Sequence, residues 1–164
     1  MDRQSSNLAE AVITKLASEG LTAVTAESCT GGLVSAALTS IPGSSAAFTY
    51  GFVTYANEAK EDLLGVQRST LNTYGAVSRT VAEAMAHGAT LRSGADIAVS
   101  ITGVAGPGGG TARKPVGLVW FAISGPFGVL PERRLFPDTS RELVRTLATR
   151  TALRLLLRAI SLSI

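Results

Sequence analysis

Cysteine and histidine are nearly missing from this 164-residue chain, which has one of each, Cys29 and His87. A lone cysteine excludes an intramolecular disulfide, and one histidine beside it is too few for the usual Cys/His zinc sites. Aromatics make up only 5% of the residues, a poor supply of stacking platforms for single-stranded nucleic acid. The formal charge of +3 comes from arginines that are scattered until the C-terminal region, so no DNA or RNA footprint is expected. The longest apolar stretch, Val116 to Ile123, falls far short of the ~20 residues that span a membrane. The first seven residues, Met1 to Asn7, lack the basic-then-apolar pattern of a signal peptide, and a cytoplasmic protein is the expectation.

Hydrophobic residues reach 46%, enough for one sizeable core and a single domain over 1–164. Apolar periodicity from Leu8 to Ala17 predicts a helix closed by Gly20, followed by a strand from Leu21 to Ala26. A second helix is expected over Thr30 to Ser40, stopped by Pro42-Gly43, and a strand over Ala46 to Tyr55. Asn57 is the expected N-cap of a short helix, Glu58 to Leu64, which puts Lys60 in its first turn. Further on, Arg79 to Arg92 reads as a helix, Ala95 to Thr102, Val116 to Ser124 and Val129 to Phe136 as strands, and Thr139 to Ile160 as a closing helix. Helices interleaved with near-continuous apolar strands predict an α/β layered sandwich, with Val116 to Phe136 as an antiparallel hairpin in a mixed, largely parallel sheet. Leu153, Leu157 and Ile160 form a stripe in excess of one core's needs, which suggests a homodimer.

Chemistry concentrates in Thr25-Ala26-Glu27-Ser28-Cys29-Thr30-Gly31-Gly32, where an apolar strand gives way to a hydroxyl, two glycines and a helix. Ser28 is placed as a nucleophile, Gly31 and Gly32 let a substrate approach the backbone, and amides around Thr30 to Gly32 are candidates for holding an oxyanion. His87 lies four residues after Glu83 on the solvent side of its helix, which argues against a Ser-His-Asp triad. A lysine held uncharged is the remaining activator, and Lys60 is the candidate. Bringing its pKa from about 10.4 to near 7 takes roughly 4 kcal/mol. The helix dipole supplies only ~0.3–1 kcal/mol, so burial must do most of the work. Tyr55 could hydrogen-bond Ser28 or relay its proton, or be structural. Cys29 is a rival nucleophile, although strand alternation turns it away from the face of Ser28.

Thr102 ends a strand before Gly103, Gly106 and Gly108, a segment that matches neither the P-loop nor the dinucleotide fingerprint. Its backbone amides form an anion-binding concavity or a merely flexible surface loop. Arg141 and Arg145, four apart, share a helix face suited to a phosphate, or else pair with Glu142 or Glu132.

These segments, together with Pro42-Gly43-Ser44-Ser45, Gly75-Ala76-Val77-Ser78 and Lys114-Pro115-Val116-Gly117, resemble the C-terminal domain of the CinA competence/damage-inducible proteins from Leu8 to Leu157. The resemblance implies a three-layer α/β/α fold and hydrolysis of nicotinamide mononucleotide to nicotinate mononucleotide and ammonia, with no cofactor and no metal. It implies Ser28 as nucleophile and Lys60 as its partner, with Tyr55, Thr30 and Thr102 lining the pocket. Many relatives have Pro-Gly-Asp-Arg where this chain has Pro137-Asp138-Thr139-Ser140-Arg141. CinA proteins carry a further N-terminal domain for which 164 residues leave no room, so a stand-alone amidase is implied. The alternative is a non-catalytic nucleotide-binding module or a competence-associated partner module, which needs no activated serine.

Overall fold

A computed structural model describes residues 2–136 and 140–164. Five strands form one sheet: β1 (Ala23–Glu27), β2 (Phe48–Val53), β3 (Ile97–Gly103), β4 (Leu118–Gly125) and β5 (Gly128–Leu135), in the order β2-β1-β3-β4-β5. β1 pairs in parallel with both β2 and β3, whereas β4 is antiparallel to β3 and to β5. Four strands therefore run one way and β4 alone runs the other, the mixed, largely parallel sheet that the sequence suggests. β1 and β3 are buried on both faces, which is why they read as continuous apolar runs. β2 lies at the edge and is exposed along much of its length.

Helices cover both faces. On one side α1 (Arg3–Glu19), α2 (Leu33–Thr39) and α6 (Arg141–Leu162) enclose the larger core with Ile97, Val99, Ile101, Phe121 and Ile123. On the other, α3 (Asn57–Leu64), α4 (Arg68–Tyr74) and α5 (Arg79–Ser93) pack over Val24, Ala26 and Ala98. Residue alternation along β1 and β3 separates the two sets, giving a three-layer α/β/α sandwich. Gly88 of α5 sits directly under the end of α3, where an added Cβ would lie 1.9 Å from the Leu64 carbonyl oxygen. That close approach fixes the helix that carries Lys60.

Several boundaries differ from the sequence reading. α2 begins at Leu33 rather than Thr30, because Gly31 and Gly32 take φ of +58° and +98°, outside the helical region. Ala56, not Asn57, is the N-cap residue of α3, and it makes no side-chain cap. α4 has no sequence forecast: it is seven residues long, lacks a side-chain cap and buries only Leu71. α6 starts at Arg141, capped by Ser140, and the forecast start at Thr139 lies outside the described residues, as do Pro137 and Asp138. Leu153 and Ile160 are wholly buried in the chain's own core and Leu157 packs against it, so that stripe is not an available dimer surface.

Candidate active site

Parallel pairing brings the C-terminal ends of β1, β2 and β3 to one edge of the sheet, where open α/β sheets place their ligands. Ser28 leaves β1, Thr54 and Tyr55 leave β2, and Thr102 and Gly103 end β3. The ladders run on past the strands, with the Ser28 amide donating to Ile101 O at 2.9 Å and the Thr54 amide to Glu27 O at 2.8 Å. These bonds tie the three exits into one rigid rim.

Strand alternation puts Ser28 on the same face as Val24 and Ala26, toward α3. From α3 the Lys60 side chain reaches back to this rim and is 1% exposed. Its Nζ lies 3.2 Å from Ser28 Oγ, 2.8 Å from Thr54 O and 3.3 Å from Tyr55 O. A neutral amine has two N–H donors and one lone pair. It can therefore donate to the two carbonyls and accept from the serine hydroxyl, which places a lone pair against the proton that has to leave. Burial pushes the lysine pKa below its ordinary value. A Cys29 thiolate and the exposed Glu58 act in the opposite direction. The thiol does not ionise near neutrality, because burial, helped by the Glu27 carboxylate, pushes Cys29 up to about 12. Ser28 itself is half-buried, the one member of the pair open to a ligand.

The remaining sequence candidates fall into different places. Cys29 faces the larger core, as alternation predicts. Tyr55 is 59% exposed, and its hydroxyl accepts from Arg141 Nη2 at 2.9 Å instead of bonding Ser28. Only its carbonyl touches the Ser28–Lys60 pair. Arg141 also donates to Gly106 O at 2.7 Å, so it ties the glycine segment to the end of β2. Arg145 donates through Nε to Cys29 O at 3.2 Å and through Nη2 to Thr30 O at 3.1 Å. Neither arginine bonds Glu142 or Glu132 among the described residues; Glu132 pairs with Arg134 and Arg158 instead. Thr102 gives its hydroxyl to Ala76 O at 2.8 Å, anchoring the segment after α4. Gly103 is pressed against β4, Gly106 is buried, and Gly108 is exposed with open space around it. His87 is exposed on α5 and lines a surface cleft of about 430 Å³ that Ser28 does not border.

The amides assigned to an oxyanion need correction. Gly32 donates to Glu27 Oε2 at 3.0 Å and Gly31 to Ser28 O at 3.0 Å, because the chain turns back on itself before α2. The amides of Cys29 and Thr30 have no acceptor among the described residues. The hydroxyls of Thr30 and Thr54 are also buried without partners among them. Buried polar groups are normally hydrogen-bonded, and these two hydroxyls next to Ser28 and Lys60 are exceptions. Glu27 escapes sequence reasoning: its spacing to Ser35 has no motif, and only its position at the end of a buried strand signals it.

The CinA C-terminal domain family model matches residues 5–160. The chain is 52% identical to nicotinamide-nucleotide amidohydrolase PncC of Enterobacter agglomerans over 144 residues, 87% of each protein. It is 49% identical to the protein of the same name from Escherichia coli K12 over 155 residues, 94% of each. A CinA-like protein of Akkermansia muciniphila is 48% identical over 93% of this chain, which spans only 37% of that longer relative. Among solved structures, competence/damage inducible protein CihA from Agrobacterium tumefaciens superposes with a TM-score of 0.94 at 51% identity, covering 97% of each chain. With sequence, fold and coverage in agreement, this chain belongs to the CinA C-terminal domain family.

Proposed function

We propose that this protein is an amidohydrolase that converts nicotinamide mononucleotide to nicotinate mononucleotide and ammonia, with Ser28 as nucleophile and Lys60 as base. The observation that carries the reading is the buried Lys60 side chain, whose Nζ lies 3.2 Å from Ser28 Oγ and bonds two backbone carbonyls, an arrangement in which a neutral amine turns its lone pair to the serine. A purely nucleotide-binding module has no use for an amine desolvated against a hydroxyl. The Enterobacter and Escherichia relatives are named nicotinamide-nucleotide amidohydrolase, which supports a substrate of that class.

In the proposed cycle Lys60 takes the Ser28 proton while Oγ attacks the carboxamide carbon, and the carbonyl oxygen becomes an oxyanion facing the Cys29 and Thr30 amides. The tetrahedral species collapses, the C–N bond breaks, and the Lys60 ammonium returns its proton to the departing nitrogen, which leaves as ammonia. Lys60 then deprotonates a water that attacks the acyl-serine, and as the acyl C–Oγ bond breaks the Lys60 ammonium returns the proton to Ser28 Oγ, freeing the product acid, which ionises to the carboxylate. The scheme draws on no metal and no redox cofactor. Tyr55, Thr102 and the glycine segment from Gly103 to Gly108 wall the nucleotide side, with Arg141 the cation available to its phosphate. The Ser28→Ala protein should bind nicotinamide mononucleotide but release no ammonia from it. Ammonia release at the wild-type rate from that variant would overturn the reading.

A further inference from the structure

The residue before the nucleophile is a carboxylate sealed in the core. Glu27 is 0% exposed, and burying a charge is tolerated only where hydrogen bonds saturate it. Its Oε2 accepts from the amides of Gly32 at 3.0 Å and Val34 at 3.1 Å. Its Oε1 accepts from the amide of Ser35 at 2.8 Å and the Ser35 hydroxyl at 2.7 Å. An anion thus occupies the N-terminus of α2, where the helix dipole favours one. Because Glu27 is also the last residue of β1, its side chain closes residues 28–31 into a loop pinned at both ends.

From the other side Arg145 grips the same loop by its carbonyls, Cys29 O and Thr30 O. Ser28 N is matched with Ile101 O, Ser28 O with Gly31 N, and Glu27 O with Thr54 N, while Gly31 O has no partner among the described residues. Of the amides of residues 28–31, those of Cys29 and Thr30 have no acceptor among the described residues. A carbonyl turned the other way would sit beside the developing negative charge, and Arg145 draws both away.

We infer that Glu27 and Arg145 are positioning residues for the nucleophile. Glu27 holds the turn through its amides and Arg145 through its carbonyls, so that Ser28 Oγ and the two free amides are presented together. This rests on the amidase reading above in so far as Ser28 is the nucleophile. It assigns Arg145 to the turn rather than to the phosphate of the ligand. A misplacement of about 1 Å at such a centre costs on the order of 100-fold in rate.

The test compares wild type with Glu27→Gln, Arg145→Lys and Ser35→Ala. Glutamine presents an NH₂ to donors that now meet a carboxylate, lysine cannot fork onto two carbonyls, and alanine removes one of the four Glu27 contacts. Two readouts are used: ammonia release from nicotinamide mononucleotide, and labelling of Ser28 by a fluorophosphonate, which reports the serine whatever the natural substrate. Glu27→Gln should lower kcat about 100-fold with KM within about threefold, and should slow labelling in parallel at full stoichiometry. The pH midpoint of kcat/KM should stay in place, because Lys60 keeps its contacts. Ser35→Ala and Arg145→Lys, the milder changes, should lose about 3- to 10-fold with the same split and decide the matter if Glu27→Gln fails to fold. Wild-type kcat and labelling in the folded variants, a rise in KM with kcat retained, or reduced stoichiometry at normal speed would each overturn the inference. A wild-type protein that labels at Ser28 but releases no ammonia would remove the proposed substrate, and the labelling rates would still judge the positioning.

Discussion

Two glycine-bearing segments follow neighbouring parallel strands, and their glycines do opposite things. After β1, Gly31 and Gly32 permit a reversal so tight that a buried carboxylate and a guanidinium grip it from both sides. After β3, the segment from Gly103 to Gly110 starts packed against β4 and then runs into solvent, where Gly108, Gly109 and Gly110 are exposed. Arg141 tethers this second segment through Gly106 O, and a bond from the Gly117 amide to Val104 O closes its base. Glycine content therefore says little about mobility by itself. What distinguishes the two is whether side chains from elsewhere claim the backbone groups that the glycines uncover.

The strongest way to break the first region is to remove its amine. Lys60→Met should lower turnover by more than about 10³-fold, measured as ammonia release. The same variant should be more stable than wild type, with a definite pH dependence. The folded Lys60 pKa lies below its ordinary 10.5, so between the two values the unfolded chain binds the extra proton and wild-type stability rises with pH. The gain from methionine is thus greatest below that interval and fades toward pH 10.5, as denaturant melts at several pH values will show. In wild type, kcat/KM should climb as pH rises through the lowered lysine value, since only the neutral amine accepts the serine proton.

Smaller effects sharpen the contrast. Gly31→Ala introduces a Cβ at φ +58° and 3.3 Å from Arg145 Nη2, and should lower stability by about 1–2 kcal/mol along with kcat. Cys29→Ala should keep activity within about twofold, because the buried thiol, held near 12, is not the nucleophile. Native protein at pH 8 should correspondingly resist iodoacetamide. Gly108→Ala, in open space, should shift stability by no more than about 0.5 kcal/mol. A loss as large as that at Gly31 would show that the second segment is locked as well.

The sequence carries the fold well wherever burial is two-sided. Val24 to Ala26 and Ile97 to Ile101 are apolar enough to declare interior strands, and Gly20 ends a helix by capping chemistry that is visible in one dimension. α4 is invisible for the opposite reason, since one buried leucine gives no period to read. Ser28 and Lys60 can be singled out because Ser28 stands where an apolar strand meets two glycines, and because with His87 on a solvent face a lysine following an apolar strand is the remaining base. Their surroundings cannot. That Arg145 turns to carbonyls, that Tyr55 meets Arg141, and that Glu27 takes the α2 amides all depend on contacts between residues 5 to 116 positions apart. Nothing local in the chain encodes such pairings.

Two of the three atoms that seat the Lys60 nitrogen belong to the main chain, the carbonyls of residues 54 and 55. No codon change at either position deletes them. The base is therefore insulated from drift in its neighbours' side chains, and Tyr55 can be exchanged to suit a different guest without retuning the amine next to it. A scaffold of this kind lets selectivity diversify while the reaction chemistry is inherited through the path of the backbone.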